Sequence, residues 1–379
     1  MQAARRLQET KEYYFSRKLK EVRALAAAGH PIINMGIGSP DLSAPAVVID
    51  ALIQGMQDPV AHQYQSYTGI PALREAMAAF YKKHYQVSLD ASTEILPLMG
   101  SKEGIMHISM AFLNPGDSVL IPNPGYPTYS AVTKLVEATP MPYDLTAENG
   151  WMPDLEKLAK KDLTHVKLMW VNYPHMPTGT MATDGFFEAL IAFAKAQDIL
   201  IVNDNPYSFV LNDTPRSMLD IPGAKEVALE LNSLSKTFNM AGWRVGMVMG
   251  SAEHINQVLK VKSNMDSGMF YGVQKGAVAA LGLGKDWFDH MNHIYQKRRT
   301  LVYQLAEKLG CTIDRTGVGM FVWAKLPEGV AAEAFIDTVL LERFIFITPG
   351  TIFGSNGAGY IRFSLCVTES EIEEAIRRF

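Results

Sequence analysis

Cysteine is scarce, long apolar runs are missing and positive charge is not in excess, and each shortage removes a class of protein. Two cysteines, Cys311 and Cys366, cannot build a disulfide framework, and both lie in apolar runs where a thiol packs as a small hydrophobe. No stretch of 18 apolar residues is present to span a bilayer. The opening segment MQAARRLQETKEYYFSRKLKEV is charged, reads as helical and lacks the apolar centre of a secretory signal, so the expected location is a reducing cytoplasm. Lys and Arg number 35 against 39 Asp and Glu, a formal charge of −4, which provides no basic field for nucleic acid or an anionic membrane. The nine histidines contain no HExxH pattern, and no catalytic metal is expected. No internal repeat or low-complexity tract interrupts the chain. Any anion site must therefore be local and built from a few placed donors.

What is present is a large apolar fraction, 48%, with 20% charged residues over 379 positions, enough to bury a sizeable core in about two domains. From residue 70 onward helical and strand patterns alternate. PALREAMAAFYKKHY (71–85) reads as an amphipathic helix with proline in its first turn, KEGIMHISMAFL (102–113) as a second, and TDGFFEALIAFAKAQ (183–197) as a third, capped by Thr183 or Asp184. SVLIPNP (118–124), VKLMWVNYP (166–174), DILIVND (198–204) and EVALELNSLS (226–235) are short apolar strands. That alternation implies a mainly parallel sheet covered on both faces, a three-layer α/β/α unit over residues 45–280. Beyond residue 285 a long charged helix (286–310) precedes TGVGMFVWAKLP, FIFITPG and GYIRFSLCV, strands of a small α+β unit over 281–379 to which residues 1–44 contribute an arm and a part. Within that helix KRR (297–299) reads as a solvated face, and Thr368 and Glu371 have capping-box spacing. The 20 methionines read as core filler.

In a sheet of this kind ligands bind beyond the carboxyl ends of the strands, where Asn172, Asp204, Tyr207 and Ser235 fall. The strongest chemical signal is SLSKTFNMAGWRVG (233–246). Lys236 can form an imine with an aldehyde if burial and nearby positive charge keep its amine neutral. Ser233 and Ser235 precede it, and Arg244, eight residues on, can fork onto two phosphate oxygens.

With NMGIGSPD (34–41), YQSYTGIPALREA (64–76), GSKEGI (100–105), NPGYPTY (123–129), NYPHMPTG (172–179), DNPY (204–207) and YIRFS (360–364) in the same order, the chain resembles the class I/II aminotransferases, fold-type I enzymes that use pyridoxal 5'-phosphate. The resemblance implies an amino-group transfer from an L-amino acid to a 2-oxo acid by a ping-pong, Schiff-base reaction, with Lys236 as the attachment lysine. It implies that Asp204 pairs with the pyridine nitrogen, that Tyr207 donates to the ring's phenolic oxygen, and that Tyr126 stacks on the ring. Gly100, Ser101 and Lys102 occupy the phosphate positions, where helix N-terminal amides suit an anion. Asn172 belongs to the same cofactor set. Tyr64 matches a tyrosine that reaches the neighbouring subunit's phosphate, which implies a homodimer with shared sites. Arg362, an arginine in an apolar strand, needs an anion partner, and by resemblance that partner is the substrate α-carboxylate, approached also by the Gly38 backbone.

One position departs from the pattern. Where the family carries asparagine before Pro-Thr-Gly, this chain has Met176, whose thioether cannot donate a hydrogen bond to the phenolic oxygen. The imine proton is then expected to be held to higher pH, unless Asn172, His175 or water fills the gap. SNMDSGMF (263–270) is similar to a segment of LL-diaminopimelate aminotransferases. The same scaffold also supports β-elimination (carbon–sulfur lyases) and some decarboxylations, and a fold retained only for binding is a third reading that the intact lysine opposes.

Overall fold

Apolar strands alternate with amphipathic helices along residues 95–262, and that order sets the central sheet of the computed structural model, which describes residues 2–7 and 14–379. Seven strands lie in the spatial order Ile95–Leu98, Gly246–Met249, Ala228–Ser233, Leu200–Asp204, Val166–Val171, Ser118–Asn123 and Thr139–Asp144. Only Gly246–Met249 runs against the rest. The expected mainly parallel α/β architecture is the one observed.

Alternate residues of a strand serve opposite faces. Leu168 and Trp170 pack with Ile105 and Ile108 of the helix Ser101–Phe112, while Met169 and Val171 pack on the other side with Phe187 and Leu190 of the helix Asp184–Gln197. Burial on both faces explains why these strands read as unbroken apolar runs. Thr183 caps its helix by accepting from the Phe186 N–H at 3.2 Å. The helix Pro71–Tyr85 has the predicted bounds and ends on Gln86 in the left-handed region (φ +61°). The sequence reading did not include Thr139–Asp144. Its Pro140 and Pro142 argue against a strand except at a sheet edge, which is where it lies. Helices Ala46–Met56, Pro127–Leu135, Ala252–Lys262 and Tyr271–Leu281 were also not foreseen.

A separate four-stranded antiparallel sheet has the order Thr348–Pro349, Tyr360–Ser364, Phe321–Lys325, Thr312–Ile313. The N-terminal Ile33–Asn34 pairs in parallel with Ile345–Phe346, tying the two chain ends together. The capping box of Thr368 and Glu371 forms at the start of the helix Glu369–Arg377. Part of the N-terminal helical reading falls on residues 8–13, outside the described residues; the described helix is Tyr14–Ala27.

The reading of residues 297–299 as a solvated face needs correction. Arg298, on the helix Lys285–Lys308, is 1% exposed and forks onto Asp41 at 2.7 and 2.9 Å. Periodicity did not separate it from its exposed neighbour Lys297 because its partner lies 257 positions away.

Candidate active site

Three strand ends and one helix start converge. Asp204 closes its strand, and Ser233 closes the next and caps the one-turn helix Leu234–Thr237 that carries Lys236. Asn172 follows Val166–Val171 directly, and Gly100 precedes the helix Ser101–Phe112. Parallel strands put these ends on one side of the sheet. They line a cavity of about 670 Å³, within the range of small-molecule sites (about 300–1,000 Å³).

Of the residues named from sequence, Gly38, Ser101, Lys102, Tyr126, Asn172, Met176, Asp204, Tyr207, Ser233, Ser235, Lys236, Arg244 and Arg362 all line this cavity. Gly100 borders it through Arg244: its φ is +93°, and a Cβ there would collide with Arg244 Nη2. Tyr64 is not brought in; its side chain is 91% exposed on the surface of this chain.

Asp204 is 5% exposed. Its Oδ2 accepts from Tyr129 OH at 2.9 Å, and Oδ1 is buried without a partner. Burial pushes this carboxyl up to about 6, against the opposing effect of the Tyr129 hydrogen bond. Asn172 holds the backbone beneath it: Nδ2 donates to the Asp204 carbonyl, and Oδ1 accepts from Met176 N at 2.8 Å. Ser233 Oγ donates to Ser235 Oγ at 2.8 Å, fixing both hydroxyls beside the lysine turn.

Lys236 is half-buried, and its Nζ donates to the Gly38 carbonyl. Burial lowers its pKa; Arg362 and Arg244 act in the same direction, and Cys366 opposes them. Burial raises the Tyr207 phenol, so that group keeps its proton and can donate. Arg244 sits in the left-handed region (φ +58°), with Nη1 donating to the Ala241 carbonyl at 2.9 Å.

Arg362 enters from the other sheet, opposite Trp323 and Thr348 in register. It is 4% exposed, and its Nη2 donates to the Gly36 carbonyl at 2.8 Å. Nη1 lies 3.3 Å from Met176 Sδ, and the Phe321 and Phe353 rings flank the guanidinium at 3.9 and 4.7 Å. Of the groups that could substitute for the family asparagine, Asn172 is engaged elsewhere, whereas the Nε2 of His175 is buried without a partner. Asn172 is used as above, and buried His175, its pKa lowered by burial to about 3, hydrogen-bonds Thr178 Oγ1 through Nδ1 at 2.8 Å.

These residues fit pyridoxal phosphate. The unpartnered Asp204 Oδ1 suits a ring N–H, a lysine of lowered pKa suits an aldehyde, and the helix start beside Ser101, with Ser235 and Arg244, suits a phosphate. Sequence reasoning missed Tyr129, Phe15, Leu19, Ile37, Phe321 and Phe353. Tyr129 stood within NPGYPTY, and the others belong to ordinary amphipathic or apolar stretches that carry no signal. Elsewhere, Glu103, His107 and Asp266 bring potential ligand atoms within 4.8 Å of one another, and the buried Lys262 ammonium pairs with Asp266 at 2.8 Å.

Residues 30–379 match the family described as aminotransferase class I and II. The chain is 42% identical over 378 residues to the LL-diaminopimelate aminotransferase of Oleidesulfovibrio alaskensis, covering 99% of this chain and 97% of that protein. It is 39% identical to the enzyme of the same name from Moorella thermoacetica, covering 100% and 97%. Among solved structures it is similar to apo-BacF from Bacillus subtilis, with a TM-score of 0.96, 36% identity and coverage of 100% and 97%. A mutant of the Thermus thermophilus aspartate aminotransferase aligns with a TM-score of 0.92 at 25% identity, covering 100% and 99%.

Proposed function

The chain belongs to the class I and II aminotransferases and is a pyridoxal-phosphate-dependent aminotransferase, and from that premise we propose roles for its residues. The cofactor supplies an aldehyde for the amino group and an electron-withdrawing ring for the electrons of the broken Cα–H bond. Lys236 would anchor it, and the Lys236 amine would serve as the base for the substrate Cα proton. Asp204, held by Tyr129 and Asn172, keeps the ring nitrogen protonated. Tyr207 would donate to the ring's phenolic oxygen, and Tyr126, on the same cavity wall, would hold the ring by stacking. The amides at Gly100, Ser101 and Lys102, the Ser233–Ser235 hydroxyl pair and Arg244 hold the phosphate. Arg362 grips the substrate carboxylate, with Gly38 beside it. The observation that carries this reading is that an amine of lowered pKa and an unpartnered buried carboxylate oxygen share one cavity.

We further propose a homodimer, with Tyr64 reaching the other subunit's phosphate. The exposed apolar side chains of Val47, Ile53, Tyr64, Tyr67, Met265 and Phe270, each at least 46% exposed, support it. The two buried free cysteines accord with a reducing cytoplasm. We read the chain as an arm and part of a small domain (1–44), a large domain (45–280) and a small C-terminal domain (281–379), a division supported by the separate seven-stranded and four-stranded sheets.

Purified holoenzyme mixed with L-amino acids and 2-oxoglutarate should form glutamate, whereas a lyase releases ammonia and pyruvate from a cysteine-like donor. The donor panel includes LL-diaminopimelate, after the relatives. Borohydride reduction followed by peptide mass analysis should leave the cofactor on Lys236; an unmodified lysine in cofactor-saturated enzyme removes the proposed role.

A further inference from the structure

We propose that Glu230 is a positioning residue: from outside the cavity, its carboxylate holds in place the two strand ends that carry Asp204 and the Lys236 turn. The inference rests on the residue roles given above and adds a member that acts through them.

Glu230 lies between Leu229 and Leu231 in the strand Ala228–Ser233 and is fully buried. Each of its carboxylate oxygens takes two donors. Oε1 accepts from Tyr81 OH at 2.9 Å and Asn205 Nδ2 at 3.4 Å, and Oε2 from Asn203 Nδ2 at 3.2 Å and Met218 N at 3.0 Å. All four donors are neutral. Burial raises the pKa of this carboxyl, with hydrogen bonds from Ser217, Tyr81, Asn203 and Met218 opposing the shift. An apolar side chain would fill this place in the core without the cost of taking a carboxylate out of water, so the acid is accounted for by what it holds.

Two branches lead from Glu230 to the site. Asn203 is its register partner on the neighbouring strand, and Asn203 and Asn205 flank Asp204 in sequence. Alternation along the strand turns Asn203 away from Asp204, so bonds from Glu230 to both asparagines fix the backbone from which the Asp204 carboxylate projects. Asn203 Oδ1 also accepts from Tyr173 N at 3.1 Å, one residue beyond Asn172. In the other branch Tyr81 OH accepts from Asn232 Nδ2 at 3.1 Å, and Asn232 Oδ1 accepts from Ser233 N at 2.8 Å. Ser233 caps the turn that bears Lys236. Glutamine at position 230 would keep the volume but replace one acceptor oxygen by an NH2 group that faces two donors.

The test compares wild-type and Glu230→Gln holoenzyme at saturating cofactor, with far-ultraviolet circular dichroism as the check on folding. Steady-state kcat should fall about 10- to 100-fold, the scale of a displacement of up to about 1 Å at the reacting groups. KM for the amino donor should change by less than about threefold, since the groups that bind the ground state are kept. The visible circular dichroism per bound cofactor reports how the ring is held and needs no turnover; it should also fall. If the glutamine protein does not fold, Tyr81→Phe, which cuts the branch to Ser233 and keeps the ring, is read in the same two ways. A folded variant with wild-type kcat, or with unchanged cofactor dichroism, overturns the proposal. Borohydride labelling separates the two levels of failure. If wild-type Lys236 stays unmodified, the roles proposed above fail and this inference falls with them; a labelled wild type beside an unaltered variant overturns this inference alone.

Discussion

In the cofactor half of the cavity, the polar side chains come from strand ends and turns within residues 101–244; in the substrate half, Phe15, Ile37, Phe321, Phe353 and Arg362 arrive from well-separated stretches near the two chain ends. The first half is dense in hydrogen bonds: Tyr129 to Asp204, Asn172 to the Asp204 backbone, Ser233 to Ser235. In the second, the Arg362 guanidinium is packed among rings. The contrast follows from what each half must do. Holding one invariant cofactor calls for directed donors fixed by local backbone geometry, whereas selecting a side chain calls for shape, which apolar residues from any element can supply. Local motifs therefore announce the first half and say little about the second.

Four experiments would sharpen or break that contrast. Lys236→Ala should remove turnover altogether, a loss beyond the about 10²–10⁴-fold attributed to a single acid–base group, because the same amine also anchors the cofactor; residual activity in a steady-state assay would show that the two halves are not so divided. Arg362→Ala should weaken carboxylate binding by about 3–5 kcal/mol, as when one member of a buried charge pair is lost, while leaving cofactor absorbance intact. Near-normal KM would contradict the assignment.

Asp204→Asn tests the cost of preparing the cofactor half. The folded carboxyl titrates near 6, above its ordinary 3.8, because burial disfavours its charge. The folded apoprotein then binds the proton more tightly than the unfolded chain, so stability falls as pH rises from about 4 to about 6. The penalty is absent below that window and complete above it. Apoprotein carrying asparagine should therefore be more stable than wild type at pH 8, by about 3 kcal/mol at 1.36 kcal/mol per tenfold, and should lose that advantage near pH 4. Denaturant melts at both pH values check this. The smallest effect is expected from Met176→Asn. Because Asn172 is already engaged with the Asp204 and Met176 backbone, the new amide should lower the pH at which the cofactor absorbance changes; coincident titrations of the two proteins would show that position 176 does not tune the linkage.

Much of the fold was legible because its signals are local. The helix 71–85 has proline where an N–H is not needed, the strands at 118, 166 and 200 are apolar on both faces, and Thr368 and Glu371 satisfy each other across one turn. Thr139–Asp144 was not legible, since an edge position that tolerates two prolines is a property of the finished sheet. Arg298 misled because a charged residue in a helix looks alike whether it faces water or a distant aspartate.

By itself, then, the order of residues determined the alternating elements, the parallel sheet and the lysine-centred chemistry at its strand ends, all of which depend on spacings of a few residues. Only the tertiary structure decided which carbonyl receives Lys236, that Tyr129 supports Asp204, that Met176 lies against Arg362, and that aromatic rings wall the substrate half. Lys236 and Gly38, Tyr129 and Asp204, and Met176 and Arg362 stand 75 to 198 positions apart, and such pairs meet only once the apolar faces of the elements have chosen how to pack.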